Sequence, residues 1–288
     1  MALSLNEIKE YEKIWVEARN NRPIDIFEGL SPNQMHYLLR DTFNENSPIQ
    51  LNNKIDESTL DQIPIFRIAE EYLKIIQREK QIKLTPLGAL QKKVICELYD
   101  KRFVLDDMIE KGITKVGREE DVVAIRSVRY TLEIAGLVKK RENKLSLTQK
   151  AIKILWTNDR QQLFKLFFQT FTEKFAWCCN DDYTDEPVGQ FGWAFSIILL
   201  NKFGSKLETI EFYAQKYSQA FPSLLRCFKP EYYTTPEQRF ASCYGVRTFE
   251  RFLLWFGLVV ADKEDKAFFR ADNKYELTEI LNKIFKIQ

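Results

Sequence analysis

The chain has 288 residues, 45% of them hydrophobic and 29% charged, so it can bury a substantial core and is too long to assume a single domain. Only 10 Gly and 9 Pro, against 22 Phe, 12 Tyr and 5 Trp, argue against a loop-rich β-sandwich and against a disordered chain. The net charge of +2 excludes a uniformly basic protein, so any attraction to a polyanion must come from a local patch.

No segment reads as a secretory signal or a membrane span. The first residues, MALSLNEIKEYEKIW, contain no apolar stretch followed by a cleavage site. The longest apolar run, residues 191–200, falls well short of the roughly 18 residues that a spanning helix needs, so it predicts a buried helix. The cysteines form an odd set without a CxxC pair, which is typical of reduced thiols and does not favour structural zinc. These cysteines are Cys96, Cys178, Cys179, Cys227 and Cys243. We therefore expect a cytoplasmic protein without a membrane partner.

Several helices are predicted in chain order. Ser31 and Thr235 are each followed by Pro and then, three residues after the hydroxyl, by Gln, which is the pattern of a capping box at a helix N-terminus. Residues 64–76 carry apolar side chains at helical spacing. Thr85 is expected to cap a further helix that begins at Pro86. Residues 159–217 predict helix, a polar loop at residues 180–189, and helix again.

The most informative feature is an internal repeat. Residues 126–138 (RSVRYTLEIAGLV) align with residues 247–259 (RTFERFLLWFGLV) at a distance of 121 positions. Each copy continues through a charged segment to a second Leu-Thr, at Leu147-Thr148 and at Leu277-Thr278, and then into an apolar helical pattern. We call residues 126–155 the first repeat and residues 247–285 the second repeat. The predicted order in each is helix, Gly stop, strand, turn, strand, helix.

Local chemistry supports this order in the first repeat. Gly136 can adopt the left-handed conformation that ends a helix. Side chains then alternate along the strand from Leu137 to Arg141, and Glu142-Asn143 is a tight turn that brings the chain back. Thr148 can cap the next helix.

From Arg126 to Leu155 the sequence resembles the recognition helix and basic wing of winged helix-turn-helix proteins, and the second repeat shares the pattern. This resemblance implies tandem winged-helix-like units. Residues 29–99 (GLSPNQMHYLL, SPIQLN, a helix, then KLTPLGALQKKVICELY) are similar to a helical module of uncharacterised bacterial proteins, some of which carry a SEC-C zinc motif or a plasmid-derived neighbouring domain. The Cys and His ligands of a SEC-C motif are absent, so no metal role carries over.

No motif predicts catalysis. The only histidine, His36, has no nucleophile signature near it, so we interpret it as a structural or solvent-facing residue. The acidic loop at residues 180–186 lacks the spacing of an EF-hand, which favours a solvated loop over a cation site. No phosphate-binding glycine motif is present either. We expect a protein that is not an enzyme and that needs no cofactor or metal.

The first repeat carries the case for double-stranded DNA as a partner. Helical geometry places Arg126, Arg129 and Tyr130 on the side of the helix opposite its apolar face. The following hairpin adds further cations that would contact phosphates in a winged-helix mode. They are Lys139, Lys140, Arg141 and Lys144. The second repeat is nearly neutral, so we interpret it as structural or as a contact surface.

The resulting hypothesis is a mainly α protein with small β-hairpins. We divide it into a helical N-terminal module (1–100), a first winged-helix-like unit (101–157), a helical insert (158–230) and a second such unit (231–288). The predicted function is DNA binding without catalysis, in regulation. The alternative is a protein-interaction scaffold that binds no nucleic acid, and burial of the outer face of the 122–135 helix under the insert would favour it.

Overall fold

The computed structural model describes residues 5–262 and 273–288. The chain is mainly helical with small antiparallel sheets, as the sequence predicts. The α-helices are α1 (Leu5–Asn20), α2 (Pro32–Arg40), α3 (Glu57–Leu60), α4 (Pro64–Glu79), α5 (Lys92–Tyr99), α6 (Asp107–Glu110), α7 (Val123–Ile134), α8 (Gln149–Thr157), α9 (Arg160–Glu173), α10 (Trp193–Phe203), α11 (Ile210–Ala220), α12 (Pro222–Leu225), α13 (Pro236–Tyr244) and α14 (Ile280–Ile284). A π-helical segment, Gly245–Leu253, continues α13, and short 3-10 turns lie at Asp25–Phe27, Glu119–Asp121 and Trp177–Asn180. The strands are β1 (Ile49–Leu51), β2 (Ile82–Lys83), β3 (Val138–Arg141), β4 (Lys144–Leu147), β5 (Val259–Ala261), β6 (Tyr275–Leu277) and β7 (Phe285–Ile287).

Three of the four predicted helix caps are confirmed. One is Thr148, whose hydroxyl accepts from Ala151 N at 3.3 Å at the start of α8. Ser31 and Thr235 each form a complete capping box at the first turn of α2 and α13. The prediction for Thr85 is wrong, because residues 85–89 form a tight turn in which the Thr85 hydroxyl accepts from Ala89 N at 3.1 Å. Leu84 and Leu90 bridge across this turn, and the helix begins later, at the first residue of α5.

The first repeat lies within a three-stranded sheet of order β2-β4-β3. Its helix α7, Gly136, hairpin β3–β4 and α8 follow one another as predicted. The third strand, β2, comes from the segment just after α4, and α4 packs on α7. The boundary we predicted at residue 100 therefore cuts a hydrogen-bonded sheet.

The second repeat has the same arrangement. Strands β5 and β6 pair, and Thr209 bridges Lys274 next to β6 in the place where β2 pairs with β4. One backbone hydrogen bond next to this pairing is also present in both repeats. Leu84 N donates to Asn143 O at 2.9 Å in the first, and Ile210 N donates to Asn273 O at 3.1 Å in the second. The middle of the second charged segment, residues 263–272, lies outside the described residues. The domain boundary that we predicted at residue 231 separates Thr209 from Lys274, the residue with which it forms a β-bridge.

One aromatic-rich core joins these parts. Phe168 on α9 contacts the rings of Trp193, Phe252 and Phe256 at centroid distances of 5.1 to 6.2 Å. Residues 193–200 of the apolar run lie in α10 and are buried as predicted. Strand β1 pairs with β7 near the C-terminus. Among the described residues, no helix is long and apolar enough to cross a membrane.

Candidate nucleic-acid interface

The hairpin of each repeat is fixed by one set of hydrogen bonds. Thr148 Oγ1 donates to Gly136 O at 2.8 Å and Thr148 N donates to Leu137 O at 3.0 Å. Thr278 makes the same two bonds, to Gly257 O at 2.6 Å and to Leu258 O at 3.0 Å. Both glycines have a φ near +69°, as their predicted role as helix stops requires. The duplicated pattern therefore encodes a duplicated geometry.

In the first repeat, the turn and the alternation of the hairpin are confirmed. Glu142 and Asn143 both have positive φ, which is the conformation of a tight two-residue turn. The inner face of the sheet is mainly apolar, since Ile82, Val138 and Leu145 are buried there, while Lys140, opposite Leu145, is exposed at its edge. The side chains that alternate with them point to solvent.

The solvent side of this sheet is a continuous positive surface. Arg141 lies directly opposite Lys144, and Lys144 lies directly opposite Lys83 on β2. Residues that face each other in this way have side chains on the same face, so three cations form a row across three strands. Lys139 lies two residues before Arg141 and shares their face. We call Lys83, Lys139, Arg141 and Lys144 the cationic hairpin face.

This charge is barely neutralised within the described part of the chain. Arg141 makes one exposed ion pair with Glu142 at 3.4 Å, and the three lysines of the face make none. Like charges placed directly opposite each other destabilise a sheet by roughly a few tenths of a kcal/mol per pair. The free protein thus carries a small electrostatic cost here that a bound polyanion would remove.

The described residues of the second hairpin lack this surface, although their strand pairing is equivalent. Equivalent positions lie 121 residues further along in the first strand and 130 residues further along in the second. The positions that match Lys139, Arg141, Lys144 and Ser146 are Val260, Asp262, Lys274 and Glu276. Thr209 occupies the place of Lys83. At the positions that the structure describes, the cationic face is therefore present in the first repeat and absent from the second.

The predicted outward position of Arg129 is wrong. Its side chain is 2% exposed and donates to Glu119 Oε2 at 2.6 Å, to Glu133 Oε1 at 2.8 Å and to Gly88 O at 2.9 Å. Burial opposes the guanidinium charge, but the two carboxylates outweigh it and raise the pKa of Arg129. Arg129 is held inside the protein because the segment before α7 and the turn after β2 fold over this side of the helix.

Arg126 is also engaged by the protein itself. Its guanidinium donates to Cys179 O at 3.1 Å and to Asn180 Oδ1 at 3.3 Å, and the Asn180 amide donates back to Ser127 Oγ at 2.8 Å. The segment before α10 thus covers part of the outer face of α7. Of the three helix residues predicted to contact DNA, Tyr130 is the one left well exposed, at 43%, with its ring 5.2 Å from the Arg129 guanidinium.

The equivalent arginine of the second repeat explains why this covering segment is rigid. Arg247 is fully buried and binds both oxygens of Asp181, at 2.7 and 2.8 Å. It also donates to the carbonyls of Thr184 and Glu186, both at 2.6 Å. The predicted solvated loop is therefore partly wrong, because the Asp181 side chain is buried and forms an ion pair with Arg247. Arg126 and Arg247, which occupy equivalent positions in the two repeats, therefore both bind the loop before α10.

The remaining candidate chemistry is sparse. His36 is exposed and contacts the Tyr37 ring edge to face, in keeping with the predicted solvent-facing role. All five cysteines are free thiols, and burial raises the pKa of Cys243 to about 12. Within the described ranges, no group of three or more histidine, cysteine or acidic side chains is placed to hold a metal ion.

One comparison with known proteins gives a match. The model of a family described as the Y4jL N-terminal domain matches residues 61–162, a little over a third of the chain. This range begins just before α4 and ends in the first turn of α9, so it contains the whole three-stranded sheet and the cationic hairpin face. The match fits the predicted similarity to an uncharacterised bacterial family. No curated protein and no solved structure matches the chain.

Proposed function

We propose that this protein binds double-stranded DNA, without catalysing a reaction on it and in a regulatory role, through the hairpin of its first repeat. The observation that carries this proposal is the row formed by Lys83, Lys144 and Arg141 across the three strands. Lys and Arg that neutralise phosphates supply most of the affinity of sequence-tolerant DNA binding. A stretch of stacked like charges that weakens the free sheet is best explained by such a ligand.

The fold proposed for this segment is a winged helix that spans residues 61–162. The order α4, β2, α5, α7, β3, β4 with sheet order β2-β4-β3 supports it. The helix that would enter the major groove in this mode is α7. Because Arg129 is buried and Arg126 is engaged by residues 179–180, α7 offers little side-chain surface to base edges. The proposal therefore rests on phosphate contacts by the hairpin and not on base contacts by the helix.

The test is a fluorescence anisotropy titration of the full chain with a mixed-sequence duplex at several salt concentrations. Binding that weakens linearly in log affinity against log salt supports the proposal. No binding at low salt refutes it. A variant with Lys139, Lys140 and Arg141 all changed to Ala is expected to bind more weakly, and binding equal to that of the unaltered chain also refutes it.

A protein-interaction scaffold is the second candidate, and two observations favour it. Residues 179–180 of the predicted insert cover part of the outer face of α7, which is the criterion set from the sequence. The second observation is α1. None of the residues of this 16-residue helix is buried, although it carries six large apolar side chains. They are Leu5, Ile8, Tyr11, Ile14, Trp15 and Val16. A helix of this length is marginally stable in water without a partner surface. Light scattering of the full chain compared with an Ile8→Asp/Trp15→Asp variant tests this candidate, because only the scaffold role predicts self-association that the variant abolishes.

A further inference from the structure

We propose that Leu87 is an apolar wedge that inserts between base pairs when the hairpin of the first repeat grips a duplex. This inference rests on the DNA-binding function proposed above and assigns it a mode: deformation of the duplex at the contact. Leu87 is 97% exposed at the tip of the turn formed by residues 85–89. It is the most exposed large apolar side chain of the described residues.

The turn that presents Leu87 is rigid. Thr85 N donates to Ala89 O and Gly88 N donates to Thr85 O, both at 2.8 Å, and Thr85 Oγ1 accepts from Ala89 N. Pro86 has a fixed φ, and Gly88 has a φ of +80°, which favours glycine. These bonds fix the backbone of the turn and keep Leu87 at its tip, where the residue is 97% exposed. Its exposure is therefore a fixed feature of the surface.

Two further contacts fasten this turn, one to the tip of the hairpin and one to α7. The Asn143 amide at the hairpin tip donates to Thr85 O at 2.8 Å, and the buried Arg129 donates to Gly88 O at 2.9 Å. The ammonium of Lys140 lies 2.9 Å from the place where a Cβ on Gly88 would stand. Leu87 is thus held beside the hairpin tip. Cations lie on both faces of this tip, Lys140 on one and Arg141 on the other, where they would contact phosphates.

This combination fits the interior of a deformed duplex. An isolated exposed leucine is ordinary on a protein surface, but here it is held rigidly and is adjacent to a positive surface. In DNA, phosphates line the edges of a groove, and the apolar base faces become accessible where a base step is unstacked, so cations beside an apolar tip match both parts. Proteins that bend DNA insert apolar side chains between base steps in this way and repay the unstacking with added contacts.

The closing experiment uses the full chain and a mixed-sequence duplex. 2-Aminopurine, placed at successive steps in turn, reports unstacking by its fluorescence. Dyes on the two ends of the duplex report bending by energy transfer. Bound protein is expected to raise the 2-aminopurine fluorescence at one or two adjacent steps and to shorten the end-to-end distance. Leu87→Ala should remove both signals and lower affinity about tenfold, with an unchanged salt slope, because phosphate contacts remain. Trp156→Ala is the matched control: Trp156 is also an exposed apolar residue, at 88%, but it lies on α8, beyond the other end of β4.

Each outcome decides between the two proposals. Salt-dependent binding without a fluorescence change, or signals that persist in Leu87→Ala, overturns the wedge and leaves the DNA-binding function standing. Absence of salt-dependent binding overturns both. Leu87-dependent binding to phosphatidylserine vesicles, with none to the duplex, assigns the same chemistry to a membrane surface and also overturns both. Equal losses in Trp156→Ala and Leu87→Ala refute a specific role for the turn.

Discussion

Replacing Lys139, Lys140 and Arg141 together with Ala is the most direct test of how the hairpin acts. Five cations lie on the hairpin and its neighbouring strand, counting these three with Lys83 and Lys144. If each neutralises one phosphate, the slope of log affinity against log salt is about −4.5, since each contact contributes about −0.9. The triple variant keeps two contacts, so its slope should fall to about −1.8. At about 0.1 M salt the three lost contacts correspond to an affinity loss of about 500-fold.

Anisotropy titrations at four or more salt concentrations supply both the slope and the affinity. A control variant also removes three positive charges, but away from the hairpin. Its substitutions are Lys153→Ala on α8, Lys165→Ala on α9 and Lys174→Ala just after α9. These three lysines are exposed and make no ion pair within the described residues. The control separates a local contact from the effect of net charge.

The folded state provides an internal check. Because the hairpin cations repel one another across the strands, the triple alanine variant should be no less stable than the parent chain in urea unfolding. A large loss of stability would mean that weaker binding reflects misfolding. A salt slope that does not change, or an equal loss of affinity in the control variant, would refute the assignment of phosphate contacts to the hairpin.

Three further predictions follow from other parts of the structure. Arg129→Ala should lower the free energy of unfolding by about 3 to 5 kcal/mol in urea titrations, because it leaves a buried glutamate without its counter-ion; a loss under about 1 kcal/mol would contradict the buried pair. Gly189→Ala should cost more stability than Gly136→Ala, since both glycines have positive φ but a Cβ on Gly189 would lie 2.5 Å from a buried hydroxyl, whereas the one on Gly136 meets open space; equal thermal shifts would contradict this reasoning. Val260→Lys together with Glu276→Lys should steepen the salt slope of DNA binding by about 1.8, if the equivalent hairpin needs only charge to contact phosphates; an unchanged slope would show that the second hairpin cannot reach the duplex.

The sequence predicted most accurately the features that depend on neighbouring residues. The glycine stops, the tight turn at Glu142-Asn143 and the two capping boxes each depend on residues a few positions apart, and each is present. The repeat could have been extended further from the sequence, because Asn143-Lys144 and Asn273-Lys274 stand 130 positions apart and precede both Leu-Thr pairs. That shared Asn-Lys marks the start of the returning strand in each copy.

The errors arose where distant segments decide the outcome. Helical periodicity placed Arg129 outside, because the spacing on a helix identifies one apolar face but not what packs on the opposite one. Glu119 and the carbonyl of Gly88 approach from segments 10 and 41 residues away and turn that position into an interior site. Lys83 was missed as part of the positive surface for the same reason, since only strand pairing brings it beside Lys144.

The two repeats show which part of this design is structural and which part carries the proposed function. The bonds of Thr148 and Thr278 involve backbone carbonyls and one hydroxyl, so the solvent-facing residues of a hairpin can change sign without loss of the fold. Buried Arg247 and partly buried Arg126 hold the covering loop, which covers part of the outer face of α7. Phosphate contacts alone carry no sequence information. If the first hairpin binds DNA, any preference among sequences must therefore come from how easily a base step opens to Leu87, and flexible pyrimidine–purine steps should be favoured over stiff A-tracts.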